Sequence, residues 1–321
     1  FLLTIKNYFC LVKKNILITG AAGFLGSHLC DFFISKNFNV IGIDNLSTGN
    51  LENISHLKDL SNFSFEIIDI TKSFEIKNSL DYILHFASPA SPIDYLNLPI
   101  ETLRAGSIGV ENVLKIALQK KAKILIASTS EVYGDPLQHP QREDYYGNVN
   151  PIGPRSVYDE AKRFQEAITT AYHTHFGLNI SIARIFNTYG PRMRKNDGRV
   201  IPAFLNQIIE NKPITIFGNG KQTRSFCYVD DLILGIFKLL KSNISSPVNL
   251  GNPSEISIVD FANELIDTFG NNSSISFKKF PQNDPLKRKP DISKAINLLN
   301  WKPKVLRKEG IKLTYEYFKS K

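Results

Sequence analysis

"ITGAAGFLGSHL", residues 18–29, decides the fold. It follows an apolar run that starts at Asn15, and its glycines Gly20, Gly23 and Gly26 keep the spacing GxxGxxG. Glycine there lets the chain turn sharply out of a strand. It also lets backbone amides approach a pyrophosphate at the start of a helix. The pattern is weak by itself. It gains weight because a second β-rich run, "VIGID" (40–44), ends on Asp44. A carboxylate at that point accepts both hydroxyls of a ribose and repels a 2′-phosphate, which predicts NAD as cofactor.

Working outward, the strand candidates are "NILITG" (15–20), "VIGID" (40–44), "FEIIDI" (65–70), "YILHFAS" (82–88), "KILIAST" (123–129) and "ISIARIFN" (180–187). They are apolar almost throughout, the pattern of strands covered on both faces. Helical periodicity falls at 24–35, 107–120 and 156–176. Alternating β and α predicts an α/β fold with a doubly wound parallel Rossmann sheet. After about residue 189, Pro and Gly become frequent. "PITIFGNG", "PVNLGNP" and "ISFKKF" then read as short strands or loops of a smaller C-terminal lobe, interleaved with the end of the first domain. The expected division is an extension at 1–13, a Rossmann domain at 14–188 completed by about 226–252, and a lobe made of 189–225 and 253–321.

The formal charge of +9 raises nucleic-acid binding as a reading. The lysines are scattered and form no basic stripe with interleaved aromatics, so a solvated surface is the expectation and no nucleic-acid partner is predicted. The opening "FLLTIKNYFCLVKK" is apolar but interrupted by Lys6 and Asn7 and lacks a small-residue cleavage site. It reads neither as a signal peptide nor as a membrane span, and no membrane partner is expected. Cys10, Cys30 and Cys227 form no CxxC pair, which argues against a disulfide framework or a metal site and fits a cytoplasmic protein.

Chemistry concentrates further along. "SVYDEAKRF" puts Tyr158 and Lys162 at i and i+4, on one face of a helix. A free phenol has a pKa of about 10, and a neighbouring ammonium favours its phenolate. Thr129, ending an expected strand, offers a hydroxyl that can orient the substrate oxygen whose proton Tyr158 removes.

The glycine turn, a strand-end Thr and YxxxK together resemble the extended short-chain dehydrogenase/reductases that act on nucleotide sugars. Within that group the chain is most similar to the UDP-glucuronate decarboxylases. The resemblance is carried by "HFASPASP" (85–92), "STSEVYGDP" (128–136), "HPQREDYYGNVNPIGPRSVYDEAKR" (139–163), "ARIFNTYGPRM" (183–193), "DGRV" (197–200), "QTRSFCYVDDL" (222–232), "SPVNLGNP" (246–253) and "RKPDI" (288–292). It covers about residues 14–318. It implies NAD held by Gly20, Gly23, Phe24, Leu25, Gly26, Asp44, Asn45, Thr48 and Gly49. Asp69 and Ile70 at the end of the third strand, Phe86, Ser88, Thr188, Tyr158 and Lys162 complete that set. A UDP-sugar would be held by Pro89, Ser91, Asn187, Arg199, Arg224 and Arg288, with Arg288 nearer the sugar carboxylate. A homodimer is implied, built from the helices at 107–120 and 156–176. Their apolar faces, including Ile108, Leu114, Phe164 and Ile168, read equally well as core.

The implied reaction explains a carboxylate at the end of a strand. Oxidising C4 of a hexuronate gives a β-keto acid, which loses carbon dioxide readily; protonation at C5 and re-reduction at C4 then complete a redox-neutral cycle. Thr129, Glu131, Tyr158, Lys162 and Arg288 are the implied catalytic set. Glu131 would either be pushed towards protonation by the substrate carboxylate or destabilise that carboxylate before it leaves. The related 4,6-dehydratases carry an Asp–Glu pair where this chain has Ser130 and Glu131, so dehydration lacks its acid. Gly106 replaces an Asn usual in relatives, which puts turnover in question. Alternatives are a decarboxylase that releases the 4-keto pentose, a 4-epimerase or 4,6-dehydratase, and a non-catalytic NAD- and nucleotide-binding module.

Overall fold

The strands of the sheet alternate two sets of side chains, and this sets the layering. In β1 (Asn15–Thr19), Ile16 and Ile18 face one core while Leu17 faces another, as the period of two in a strand requires. This computed structural model describes residues 13–269, 274–280 and 286–321; most of the extension at 1–13, with Cys10, lies outside the described residues.

Five further strands join β1: β2 (Asn39–Asp44), β3 (Phe63–Ile67), β4 (Tyr82–His85), β5 (Lys123–Thr129) and β6 (Ile180–Ile185). A seventh, Val248–Leu250, pairs with β6 from far along the chain. The order is 248–250, β6, β5, β4, β1, β2, β3, and every pairing is parallel. The chain therefore runs outward from β1 in one direction, returns, and runs outward in the other. Strand ends on either side of that reversal leave a crevice, where ligands of open parallel sheets bind.

Helices cover both faces. On one face lie α1 (Phe24–Ser35), through Leu29, Cys30 and Phe33, and the helix Val229–Lys241, through Leu232, Ile236 and Leu239. On the other lie α4 (Val110–Lys120), through Val113, Leu114 and Ala117, and α5 (Ser156–Phe176), through Ile168 and Tyr172. Each fully buried Leu or Ile contributes roughly 1.5–3 kcal/mol of transfer free energy. Two short helices, α2 (Pro92–Asn97) and α3 (Pro99–Arg104), lead into α4 through a π-helical stretch, Ala105–Gly109. The apolar residues expected at a helix interface divide. Leu114 is fully buried and Ile168 packs on the core, but Ile108 and Phe164 are 48% and 47% exposed.

Two readings shift. The third strand lies at Phe63–Ile67 rather than 65–70, so Asp69 and Ile70 sit in the loop beyond it. It is also not covered on both faces: Ser64, Glu66 and Ile67 are exposed, because β3 is the last strand of the sheet. The helix expected to begin at 107 begins in the π-helical stretch at Ala105 and follows α3 directly.

The later residues form small pairings. Ile214–Phe217 runs parallel to Ile275–Lys278, and Thr223–Ser225 runs antiparallel to Glu255–Ser257. The helices Val200–Ile209 and Ile258–Phe269 bury Phe204, Leu205 and Phe261 beside them.

Candidate active site

Both ends of the site are built on strand C-termini. At β1, Gly20 has φ +74°, and a Cβ placed on it would stand 2.8 Å from the Ala87 amide nitrogen. A Cβ on Gly26 would stand 1.9 Å from the Gly20 carbonyl oxygen, so α1 starts hard against the turn. The Asp44 carboxylate ends β2 and accepts from the Ala22 amide at 3.0 Å and the Leu46 amide at 2.8 Å. Burial pushes its carboxyl up, while those amides and that of Asn45 oppose the shift. Thr19 Oγ1 accepts from the Phe86 and Ala87 amides and bonds His85 Nδ1 at 2.9 Å, tying β1 to β4. A tight glycine turn at a helix start, backed by a carboxylate, is a cradle that fits the pyrophosphate and ribose of a dinucleotide.

A cavity of about 500 Å³ opens from this turn toward the second lobe. Gly20, Phe24, Leu25, Gly26, Thr48, Phe86, Ser88 and Thr188 line it. Asp44 and its neighbour Gly49, with Gly23, Asn45 and Pro89, are not on its wall. Asp69 and Ile70 are off the wall as well. Asp69 Oδ1 accepts from the amide and hydroxyl of Thr71, and Ile70 is buried against Gly109.

Thr129, Glu131, Tyr158, Lys162 and Arg288 all line this same cavity. Tyr158 and Lys162 lie one turn apart on α5, and the nearby Thr129 side chain favours the Tyr158 phenolate. Lys162 Nζ donates to the Ala127 carbonyl at 2.7 Å and to Gln165 Oε1 at 3.1 Å. Burial pushes Lys162 down to about 8. Tyr158 is pushed up to about 12. Burial is the main cause and the Glu131 charge adds to it, against the Thr129 side chain and Arg199. The Lys162 ammonium, spent on Ala127 and Gln165, does not offset the lost hydration.

Glu131 follows Thr129 in a 3-10 turn, Ser130–Tyr133. Two guanidiniums clamp it. Arg288 meets it in two places, Nη1 to Oε1 at 2.8 Å and Nη2 to Oε2 at 2.9 Å, and Arg155 Nη2 reaches Oε2 at 2.5 Å. Burial would push the carboxyl up, but Arg288, then Arg155, outweigh it and hold Glu131 below the usual carboxylate range. Of the two roles left open for Glu131, this clamp favours the ionised one. It also places Arg288 on Glu131 rather than leaving it free for a substrate carboxylate.

The remaining anchors surround the same space. Asn187 lines the cavity with its Oδ1 buried and unpartnered. Arg199 Nη2 lies 3.5 Å from the Ala90 carbonyl, and Arg224 Nη1 donates to the Thr223 carbonyl at 2.8 Å. Ser91 caps α2 and bonds Asp94 Oδ2 at 2.7 Å; Asp94 also pairs with Arg194.

Sequence reasoning missed Tyr95, Arg155 and Asp159. The Tyr95 ring stacks on Tyr158, with centroids 5.1 Å apart and planes at 10°. Asp159 is buried, its Oδ1 unpartnered, and it is pushed up to about 7 by burial and by Glu131. Arg155 had a signal: it stands three residues before Tyr158, the spacing of one helical face. Tyr95 and Asp159 had none.

The sequence profile of the NAD dependent epimerase/dehydratase family matches residues 16–251. This chain belongs to that family. It is 48% identical over 307 residues to UDP-glucuronic acid decarboxylase 1 of Xenopus tropicalis, covering 96% of this chain and 72% of that protein. It is 46% identical over 317 residues to UDP-glucuronic acid decarboxylase 3 of Arabidopsis thaliana, covering 98% and 92%. A solved structure of UDP-glucuronic acid 4-epimerase from Bacillus cereus, in complex with UDP-glucuronic acid and NAD, superposes with a TM-score of 0.85 at 31% identity, over 95% of this chain and 99% of that one. As a member of the epimerase/dehydratase family, the chain is an NAD-dependent enzyme.

Proposed function

We propose that the substrate is UDP-glucuronate and that the product is UDP-xylose. The observation that carries this is the Glu131 carboxylate, clamped by Arg155 and Arg288 in the cavity that also holds Thr129 and Tyr158. The 46–48% identity to UDP-glucuronic acid decarboxylases supports it.

Bound NAD supplies reversible acceptance of hydride from C4 of the sugar. The turn at Gly20–Gly26 and Asp44 would hold its pyrophosphate and adenosine ribose, with Asn45, Thr48 and Gly49 beside them. Phe86, Ser88, Thr188 and Lys162 would line the path from the cofactor toward the sugar, and Asp69 and Ile70, off the cavity wall, would lie at the adenine end. Tyr158 would take the C4 hydroxyl proton as its phenolate, a form that the positive charge of bound NAD would favour against the effect of burial, and the Thr129 hydroxyl would orient the C4 oxygen. With a ketone at C4, the carboxyl on C5 is β to it and leaves as carbon dioxide. Glu131 enters the reaction ionised, so its role is to raise the energy of the neighbouring substrate carboxylate by like-charge repulsion. Arg155 and Arg288 keep that charge tolerable in a buried site. Tyr158 returns its proton to the C4 oxygen when C4 is re-reduced. Asn187, Arg199 and Arg224, with Ser91, would hold the nucleotide diphosphate sugar; Pro89, expected among them, lies off the cavity wall. Arginine suits this by its paired donors.

We assign residues 14–188, with about 226–252, to the cofactor, and 189–225 with 253–321 to the nucleotide sugar. The exposed Ile108 and Phe164, with Leu103 of α3, form an apolar face suited to a second copy of this chain, making a homodimer. The thiols of Cys30 and Cys227 are free and buried, which fits a reducing cytoplasm. Among the described residues, no helix is long and apolar enough to cross a membrane.

The test is incubation of the purified protein with NAD and UDP-glucuronate, with products read by mass spectrometry and NADH by absorbance. The expected result is carbon dioxide and UDP-xylose without net NADH. Accumulating NADH with a 4-keto pentose, or a 4-epimer with no carbon dioxide, would overturn the assignment.

A further inference from the structure

Decarboxylation leaves an enolate that must gain a proton at C5, and most acids of the site are already committed. Glu131 is held ionised between Arg155 and Arg288. The proton on Tyr158 belongs to the C4 oxygen and returns there. Lys162 is tied to Ala127 and Gln165. Asp159 is not on the cavity wall.

Tyr95 is free. Ser91 at the N-cap and Pro92 in the first turn fix α2, and Tyr95 stands on its buried face, 1% exposed. Its ring lies parallel to that of Tyr158, and the Arg155 guanidinium sits 5.9 Å from its ring centre. It lines the same cavity as Thr129 and Glu131, yet its hydroxyl is buried with no hydrogen-bond partner. A buried hydroxyl left unpaired is costly, so the missing partner is one that a ligand supplies.

We propose that Tyr95 is a further catalytic residue, whose hydroxyl delivers the proton to C5 once the carboxyl has left. The proposal rests on the decarboxylase reading above. The Tyr95 O–H bond breaks as a C5–H bond forms. The electron pair for the new bond comes from the C4–C5 double bond of the enolate, and C4 regains its carbonyl. The phenolate left on Tyr95 lies under Arg155 and takes a proton from water before the next turnover. Burial, with Glu131, Asp159 and Tyr158 nearby, holds the Tyr95 phenol above its ordinary range against the pull of Arg155, so it enters each cycle protonated.

The experiment is turnover of UDP-glucuronate in D2O by the NAD-loaded protein and by Tyr95→Phe, with deuterium at C5 of UDP-xylose read by NMR. The hydroxyl has no partner in the protein, so Phe keeps the packing, and melting temperature and NAD binding should be unchanged. The wild-type protein should place deuterium at one of the two C5 positions. Tyr95→Phe should turn over about 10²- to 10⁴-fold more slowly, the usual contribution of a general acid. In long incubations it should scatter deuterium over both positions, because water then protonates either face. Single-position labelling by Tyr95→Phe, at any rate of turnover, would overturn the proposal. A wild-type protein that releases no carbon dioxide would overturn the decarboxylase reading and this proposal with it.

Discussion

Gly106 lies against Ala161: a Cβ built on the glycine would stand 2.6 Å from the Ala161 methyl and 2.9 Å from its carbonyl oxygen. Ala161 directly precedes Lys162 on α5, and Gly106 sits in the π-helical stretch between α3 and α4. The glycine is therefore a contact that lets two helices close up beside the catalytic pair. Gly106→Asn is expected to cost about 1–3 kcal/mol by overpacking and to lower turnover rather than raise it. Thermal melting and kcat measured together check this; a faster and equally stable Gly106→Asn would show that the position has room to spare.

Removing Glu131 has a cost beyond chemistry. Arg288 and Arg155 are buried around it, and breaking a buried pair from one side typically costs about 3–5 kcal/mol. Glu131→Ala is expected to lose most decarboxylation and to unfold at distinctly lower temperature. Glu131→Gln keeps one acceptor oxygen but turns an NH2 towards a guanidinium, so it should recover only part of the stability and little of the activity. Full activity in Glu131→Gln would show that the negative charge is not needed.

These contacts explain what could and could not be read from the chain. The glycine turn, Asp44 and the Tyr158–Lys162 pair were legible because each depends on near neighbours or on strand and helix periodicity. The sheet followed from apolar runs, except at β3, where being the outermost strand leaves Glu66 and Ile67 in water. The Glu131 clamp was not legible, because Arg155 lies 24 residues away in sequence and Arg288 lies 157 away. Nothing local ties Tyr95 to Tyr158 either; their stacking is created when α2 folds over α5.

Asp159 predicts a pH dependence of stability. Its carboxyl is pushed up to about 7 in the folded protein, by burial first and then by Glu131, against an ordinary value near 3.9 in the unfolded chain. A raised folded pKa favours folding at low pH, and that contribution is lost as pH rises through the folded value. Asp159→Asn removes the titration. It is expected to melt a few degrees above the wild-type protein at pH 8 and by a clearly smaller margin at pH 5. Melting curves across that range check the sign; a larger gain at pH 5 than at pH 8 would contradict it.

The cofactor turn gives the most direct test of the fold's use. A methyl on Gly26 would lie 1.9 Å from the Gly20 carbonyl oxygen, which is backbone and has nowhere to retreat without opening the turn. Gly26→Ala is therefore expected to weaken NAD binding severely and to lower stability as α1 is pushed off β1. Asp44→Ala acts differently. It frees the Ala22 and Leu46 amides, whose acceptor is lost, and removes the charge that repels a 2′-phosphate. It should bind NAD more weakly while narrowing the preference for NAD over NADP. Calorimetric titration of each variant with both dinucleotides separates the two effects. An Asp44→Ala protein that kept the wild-type ratio of affinities would show that this carboxylate braces the turn without reading the ribose.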